Sequence, residues 1–143
     1  MKLSEGNRQA FLIAAHQAVE EQAAAYVNDL LHGRRQQLDY PPNGGFTDEE
    51  ETALKQLQDN MVLHSALRKV LASCAAGTVF DLLNLIDGTN DPEHGDWSGV
   101  RLVDRQEEME EHWEFLHDAF FDTYWNWRET RQNTNWRLDL LPD

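Results

Sequence analysis

Apolar positions recur at helical spacing through most of the chain, which predicts an all-α fold. Phe11, Leu12, Ala15, Val19, Ala23, Tyr26, Val27 and Leu30 form one stripe. Ser4 precedes it as an N-cap and Gly33 follows as a stop signal, so a first helix is expected to run to about His32. Its alanines, Ala14, Ala15, Ala18, Ala23, Ala24 and Ala25, let a neighbouring helix approach closely. His16, at the edge of the stripe, reads as a packing residue. Arg34 and Arg35 follow the helix end, where positive charge offsets its dipole. Pro41-Pro42-Asn43-Gly44-Gly45 predicts a turn. Thr47 and Glu50 then have capping-box spacing, and Asp48, Glu49, Glu50 and Glu51 are explained by the electrostatics of a helix start.

Beyond this start the apolar stripe changes face. Leu54, Leu57 and Met61 share one side, whereas Leu63, Ala66, Leu67, Val70, Leu71 and Cys74 share another. A single straight stripe does not rotate in this way, so the pattern predicts either a break or bend near Asp59-Asn60 or a long helix whose halves contact different partners, with His64 between them. Gly77-Thr78 reads as a second interruption, with Thr78 and Asp81 restarting a helix. Residues 79–86 are apolar around nearly the whole circumference, as expected of a helix enclosed by others. A buried strand is the competing reading, and the leucine content and flanking helical patterns favour helix.

A polar loop, residues 87–99, comes next, and residues 100–103 read as a short strand or an extended lead-in. Asp104 and Glu107 open a last long helix to about Arg128. Met109, Trp113, Leu116, Phe120, Tyr124 and Trp127 share its narrow face, His117 and Phe121 extend the edge, and Phe115 and Trp125 point elsewhere. Residues 130–143 are polar until Trp136, and the alternation over residues 136–141 is compatible with an extended segment but too short to assign one. The pattern therefore predicts one domain over residues 1–143, an irregular bundle of four or five helices around a buried central helix at 79–86.

Composition agrees with a folded chain: 143 residues fit one domain, and 41% hydrophobic content argues against disorder. The single cysteine, Cys74, excludes an intramolecular disulfide and suggests a reducing compartment. On the apolar stripe it reads as a structural thiol. The N-terminus lacks the pattern of a secretory signal, and no window of about 20 apolar residues is discerned, so a soluble cytoplasmic protein without membrane contact is expected.

Charge changes the picture more. The chain carries a net −14, and residues 77–122 hold thirteen acids against only Arg101 and Arg105. Such a field repels nucleic acid and anionic membrane, and steers a basic protein toward it.

Specific chemistry is harder to find. Asp87, Asn90, Asp91, Glu93, His94 and Asp96 are metal-ligand types, but the calcium-loop order fails. Counting from Asp87, Pro92 stands where the turn glycine belongs and Ser98 where the bidentate Glu belongs. Glu114 and His117 form a Glu-x-x-His pair, but the second copy needed by a two-metal bundle is missing. No catalytic residue, metal ligand or cofactor is therefore assigned. A metal-dependent enzyme or metal-binding protein using the 87–96 loop and His117 remains the alternative.

Aromatics inside an acidic rim are the better pattern, because charges select a partner and buried rings supply affinity. The expected site comprises Glu93, Asp96 and Trp97 of the loop with Glu107, Glu108, Glu111, Phe115, Asp118, Asp122 and Trp125 of the last helix. This predicts a module that occludes a basic protein surface, such as an inhibitor or immunity partner of a nucleic-acid-cleaving toxin. A third reading is a structural protein self-associating as a homo-oligomer through Phe115 and Trp125.

Overall fold

The computed structural model describes residues 3–34, 38–42, 44–105, 125–126 and 129. Among them are three α-helices and no strand: α1 (Glu5–Leu31), α2 (Asp48–Leu54) and α3 (Met61–Asp87), with a 3-10 turn at Lys55–Leu57 continuing α2. The all-α class is thus as expected, and residues 100–103 form an irregular lead-in rather than a strand. Of the expected last helix, Asp104, Arg105, Trp125 and Asn126 are described, and its remainder, like the 130–143 segment, lies outside the described residues.

Local chemistry accounts for each helix start. The Ser4 hydroxyl accepts from the Asn7 N–H at 3.3 Å, capping α1. Thr47 and Glu50 form the full capping box of α2: the Glu50 N–H donates to Thr47 Oγ1 at 3.1 Å, and the Thr47 N–H donates to Glu50 Oε2 at 2.8 Å. Asn60 Oδ1 accepts from the Leu63 N–H at 3.0 Å and opens α3. At the other end of α1, Gly33 adopts φ +64° and the Arg34 guanidinium bonds Asp29 at 2.6 Å. In the turn that follows, a Cβ on Gly44 would sit 2.8 Å from the Pro41 carbonyl oxygen, so the close return of the chain onto Pro41 requires glycine.

The break near Asp59-Asn60 is present. Asp59 takes φ +60°, and its N–H donates to the Leu31 carbonyl at 3.4 Å, fastening the connection to the end of α1. Helices α1 and α3 then pack antiparallel: Ala24, Ala25 and Asn28 of α1 lie beside His64 and Arg68 of α3, while Phe11 and Leu12 lie beside Leu83 and Ile86. Both helices have 27 residues, about 40 Å of helix each, so the pair forms a matched hairpin. Ala23 and Val27 are the buried side chains of α1, and Pro41 is buried in the turn that follows it. His64 is half-buried against α1, and its Nε2 is enclosed with no hydrogen-bond partner among the described residues.

Two features differ from the expectation. The chain does not restart at Gly77-Thr78; α3 runs unbroken through it, and the Thr78 hydroxyl donates back to the Cys74 carbonyl at 3.2 Å. A glycine in a helix interior costs only about 1 kcal/mol, which the neighbouring turns of a long helix outweigh. Secondly, the described residues do not enclose residues 79–86: Leu83, Leu85 and Ile86 are half-buried, and Phe80 and Leu82 are exposed. Because α3 is continuous, it is also long and apolar enough, by length and composition, to cross a bilayer. Dividing the stretch at Gly77 hides that length in the sequence.

Candidate functional site

The site begins where α3 stops. Gly88 adopts φ +69° as the left-handed C-cap, and the Thr89 hydroxyl donates to Asn84 Oδ1 at 2.8 Å while its N–H donates to the Asn84 carbonyl at 3.0 Å. These bonds turn the chain away from the helix axis. The loop that follows presents Glu93 and Asp96 to solvent, with Trp97 38% exposed beside them in sequence. An indole this exposed next to carboxylates is a ring with a free apolar face inside a negative field.

The chain then returns to the start of α1. The Ser4 N–H donates to Asp104 Oδ1 at 3.0 Å across 100 residues of sequence. Hydrogen bonds from the Asn7 side chain, the Ser4 backbone and the Ser4 hydroxyl, in that order, hold the Asp104 carboxyl below the usual carboxylate range. The segment thus pinned closes one side of a cleft of about 930 Å³, floored by Phe11, Leu12, Ile86, Val100 and Leu102, with Arg8 and Arg101 also in its lining. Arg8 is paired with Glu5 at 2.6 Å. Sequence reasoning did not join Val100 and Leu102 to α1. Their alternation with Arg101 was the only signal available, and four residues are too few to choose a partner element.

A depressed folded-state pKa means that the Asp104 tether contributes stability above the ordinary carboxylate value of about 4 and loses it as pH falls through the folded value. The 98–105 segment is therefore expected to loosen from α1 below about pH 4. Amide exchange at Ser4 and Asn7, measured against pH, checks this. Asp104→Asn should lack the acid-linked step, and identical profiles for both proteins would exclude the tether as its cause.

Of the sequence-predicted partner-binding residues, the structure gathers Glu93, Asp96 and Trp97 on one exposed loop. Trp125 is half-buried within a helical stretch that includes Asn126. Glu107, Glu108, Glu111, Phe115, Asp118 and Asp122 lie outside the described residues, as does His117 of the metal alternative. Among the described residues no three His, Cys, Asp or Glu side chains converge in a metal-binding group. Asp91, Glu93, His94 and Asp96 are adjacent in the chain without forming one.

The distribution of charge along α3 is the other half of the site's electrostatics. Residues 60–80 contain Arg68 and Lys69 and no acid, whereas Asp81 begins the acid-dense part of the chain. The negative field therefore starts at the loop end of the hairpin. Comparison with family models, with characterised proteins and with solved structures returns no match.

Proposed function

We propose that the protein is an acidic binding module that occludes a basic protein surface, and that its partner is a nucleic-acid-cleaving toxin or nuclease whose own substrate site must be basic. In this reading the chain is an inhibitor or immunity protein, cytoplasmic and without catalysis of its own. It forms an irregular bundle of four or five helices, and the acids and rings of residues 93–125 make one face.

The observation that carries the reading is charge segregation. Thirteen acids stand against two bases in residues 77–122, immediately after a stretch without any acid, and the described part of that region exposes Glu93, Asp96 and Trp97 together. Acidity that served solubility alone would not need to be segregated, nor to surround an exposed indole. Long-range attraction would raise the encounter rate with a cationic partner, and the rings would hold the complex once water is excluded.

The test is inhibition of purified cationic nuclease domains, with lysozyme as a basic protein that cleaves no nucleic acid. The expected result is stoichiometric loss of cleavage for at least one nuclease, weakening steeply as salt is raised, and no comparable binding to lysozyme. Failure to inhibit any member of a broad panel at low salt would overturn the proposal, and so would equal binding to every basic protein tried.

A further inference from the structure

Helix α3 receives α1 on one side. Away from α1, Val62, Ala66, Val70, Ser73, Gly77 and Phe80 follow one another along α3 at intervals of three and four residues. The described residues leave this row open: Val62 is 82% exposed, Val70 63% and Phe80 64%. The small residues between them leave room for large ones, and nothing lies within 4 Å of a Cβ built on Gly77.

We propose that this row is the seat of the chain's own residues 106–127, laid antiparallel to α3 through Met109, Trp113, Leu116, Phe120, Tyr124 and Trp127. The first support is the tether. The Ser4 N–H holds Asp104 at 3.0 Å at the start of α1, and the cleft there is lined from both helix ends, by Leu3 and Phe11 and by Ile86 and Gly88. Residue 106 lies within about 7 Å of Asp104 along the chain, so the segment is delivered to the C-terminal end of α3. A linker this short gives an effective concentration in the millimolar range, about a thousandfold above that of a second copy at micromolar concentration.

Length and shape agree. Met109 to Trp127 spans about 27 Å as helix, the same as Val62 to Phe80, and both rows repeat at three and four residues. Trp125 and Asn126, near the far end of the segment, are helical. An antiparallel register with Leu116 over Gly77 also sets Phe120 over Ser73 and Trp127 over Ala66, so large side chains meet small ones.

Charge separates this occupant from the others. Residues 60–80 contain Arg68 and Lys69 and no acid, whereas residues 106–122 contain seven acids and no lysine or arginine. A second copy of α3 would set Arg68 and Lys69 against their own kind, and a bilayer would bury both in hydrocarbon. At about 100° per residue, Glu107, Glu111, Asp118 and Asp122 fall on the opposite side of a helix from Met109 and Phe120. Docking therefore turns these acids to solvent and makes α3 the support of the partner-binding face; that last step alone rests on the functional reading above.

Cys74 supplies the test. It is exposed, and with Leu116 over Gly77 it faces the same flank as His117, whereas Asp118 points outward. A short bis-maleimide should join Cys74 to His117→Cys within one chain at least about 10-fold faster than to Asp118→Cys, with wild-type helical circular dichroism in both variants. Gly77→Glu, which fills the seat, should abolish the link. Equal rates for the two cysteine variants, no link within one chain for either, or a link that survives Gly77→Glu would each overturn the proposal. So would a covalent Cys74 dimer of the wild-type chain at micromolar concentration, which assigns the row to a second copy, or flotation of that chain on phosphatidylcholine vesicles, which assigns it to a bilayer. None of these readouts involves a nuclease, so failure here is distinguishable from failure of the functional reading.

Discussion

Val27→Lys is expected to unfold the α1–α3 hairpin. Val27 is 1% exposed, and it and Ala23 are the buried side chains of α1. An ammonium at that position must either be neutralised or find a counter-charge. The α3 stretch that packs on this part of α1 offers none, because residues 60–80 contain Arg68 and Lys69 and no carboxylate. Removing an ion from water without a partner costs several kcal/mol even after relaxation, against the 5–15 kcal/mol that holds a typical domain together. The variant should lose most of its helical signal at 25 °C, or show a urea midpoint lowered by at least about half. Val27→Ile adds a single methylene and should cost less than about 2 kcal/mol, separating the charge effect from simple overpacking. A Val27→Lys protein with a wild-type midpoint would show that this pair of helices does not carry the fold.

That expectation depends on features which were unequally legible in the sequence. Helix starts were the clearest, because a cap is a local bond between named atoms a few residues apart. Ser4, Thr47 with Glu50, and the break at Asp59-Asn60 could all be placed without knowing what the helices pack against. Gly33 was legible for the same reason, since a left-handed stop needs a particular residue type. Gly77 failed the same rule in the opposite direction. Its local cost is small, its left-handed freedom is not used, and whether a helix continues through a glycine is decided by the turns on either side.

Burial was less legible than helix, and the reason is geometric. A run such as residues 79–86, apolar on all sides, states that the helix has surfaces to cover without stating what covers them. The structure seats α1 against one side of α3 and leaves Val62, Val70 and Phe80 outward. The helical spacing of these outward residues was present in the sequence, but splitting α3 at Gly77 separated Phe80 from Val62 and Val70. The candidate site divides similarly. Exposure of Glu93, Asp96 and Trp97 follows from a Gly- and Pro-bearing loop, whereas the return of Asp104 to Ser4 joins residues 100 apart and no local pattern announces it.

Replacing Glu93, Asp96, Glu107, Glu108 and Glu111 by their amides should slow association with the proposed nuclease partner by about 10–100-fold at low salt and flatten the salt dependence. The same five changes should alter the dissociation rate little, because carboxylates at the rim of an interface act mainly before contact is made. Trp97→Ala should behave in the opposite way. A half-exposed indole contributes through the water it excludes in the complex, so its loss should speed dissociation by roughly 30-fold, equivalent to about 2 kcal/mol, with the association rate nearly unchanged. Stopped-flow association and surface-based dissociation measurements on the two variants give the four rates. The split is the informative part: a non-specific acidic coat would lose association rate with the carboxylates and nothing at all with Trp97. Equal dissociation rates for wild type and Trp97→Ala would remove Trp97 from the site. An association rate indifferent to all five carboxylates would remove the electrostatic argument on which the proposed partner class rests.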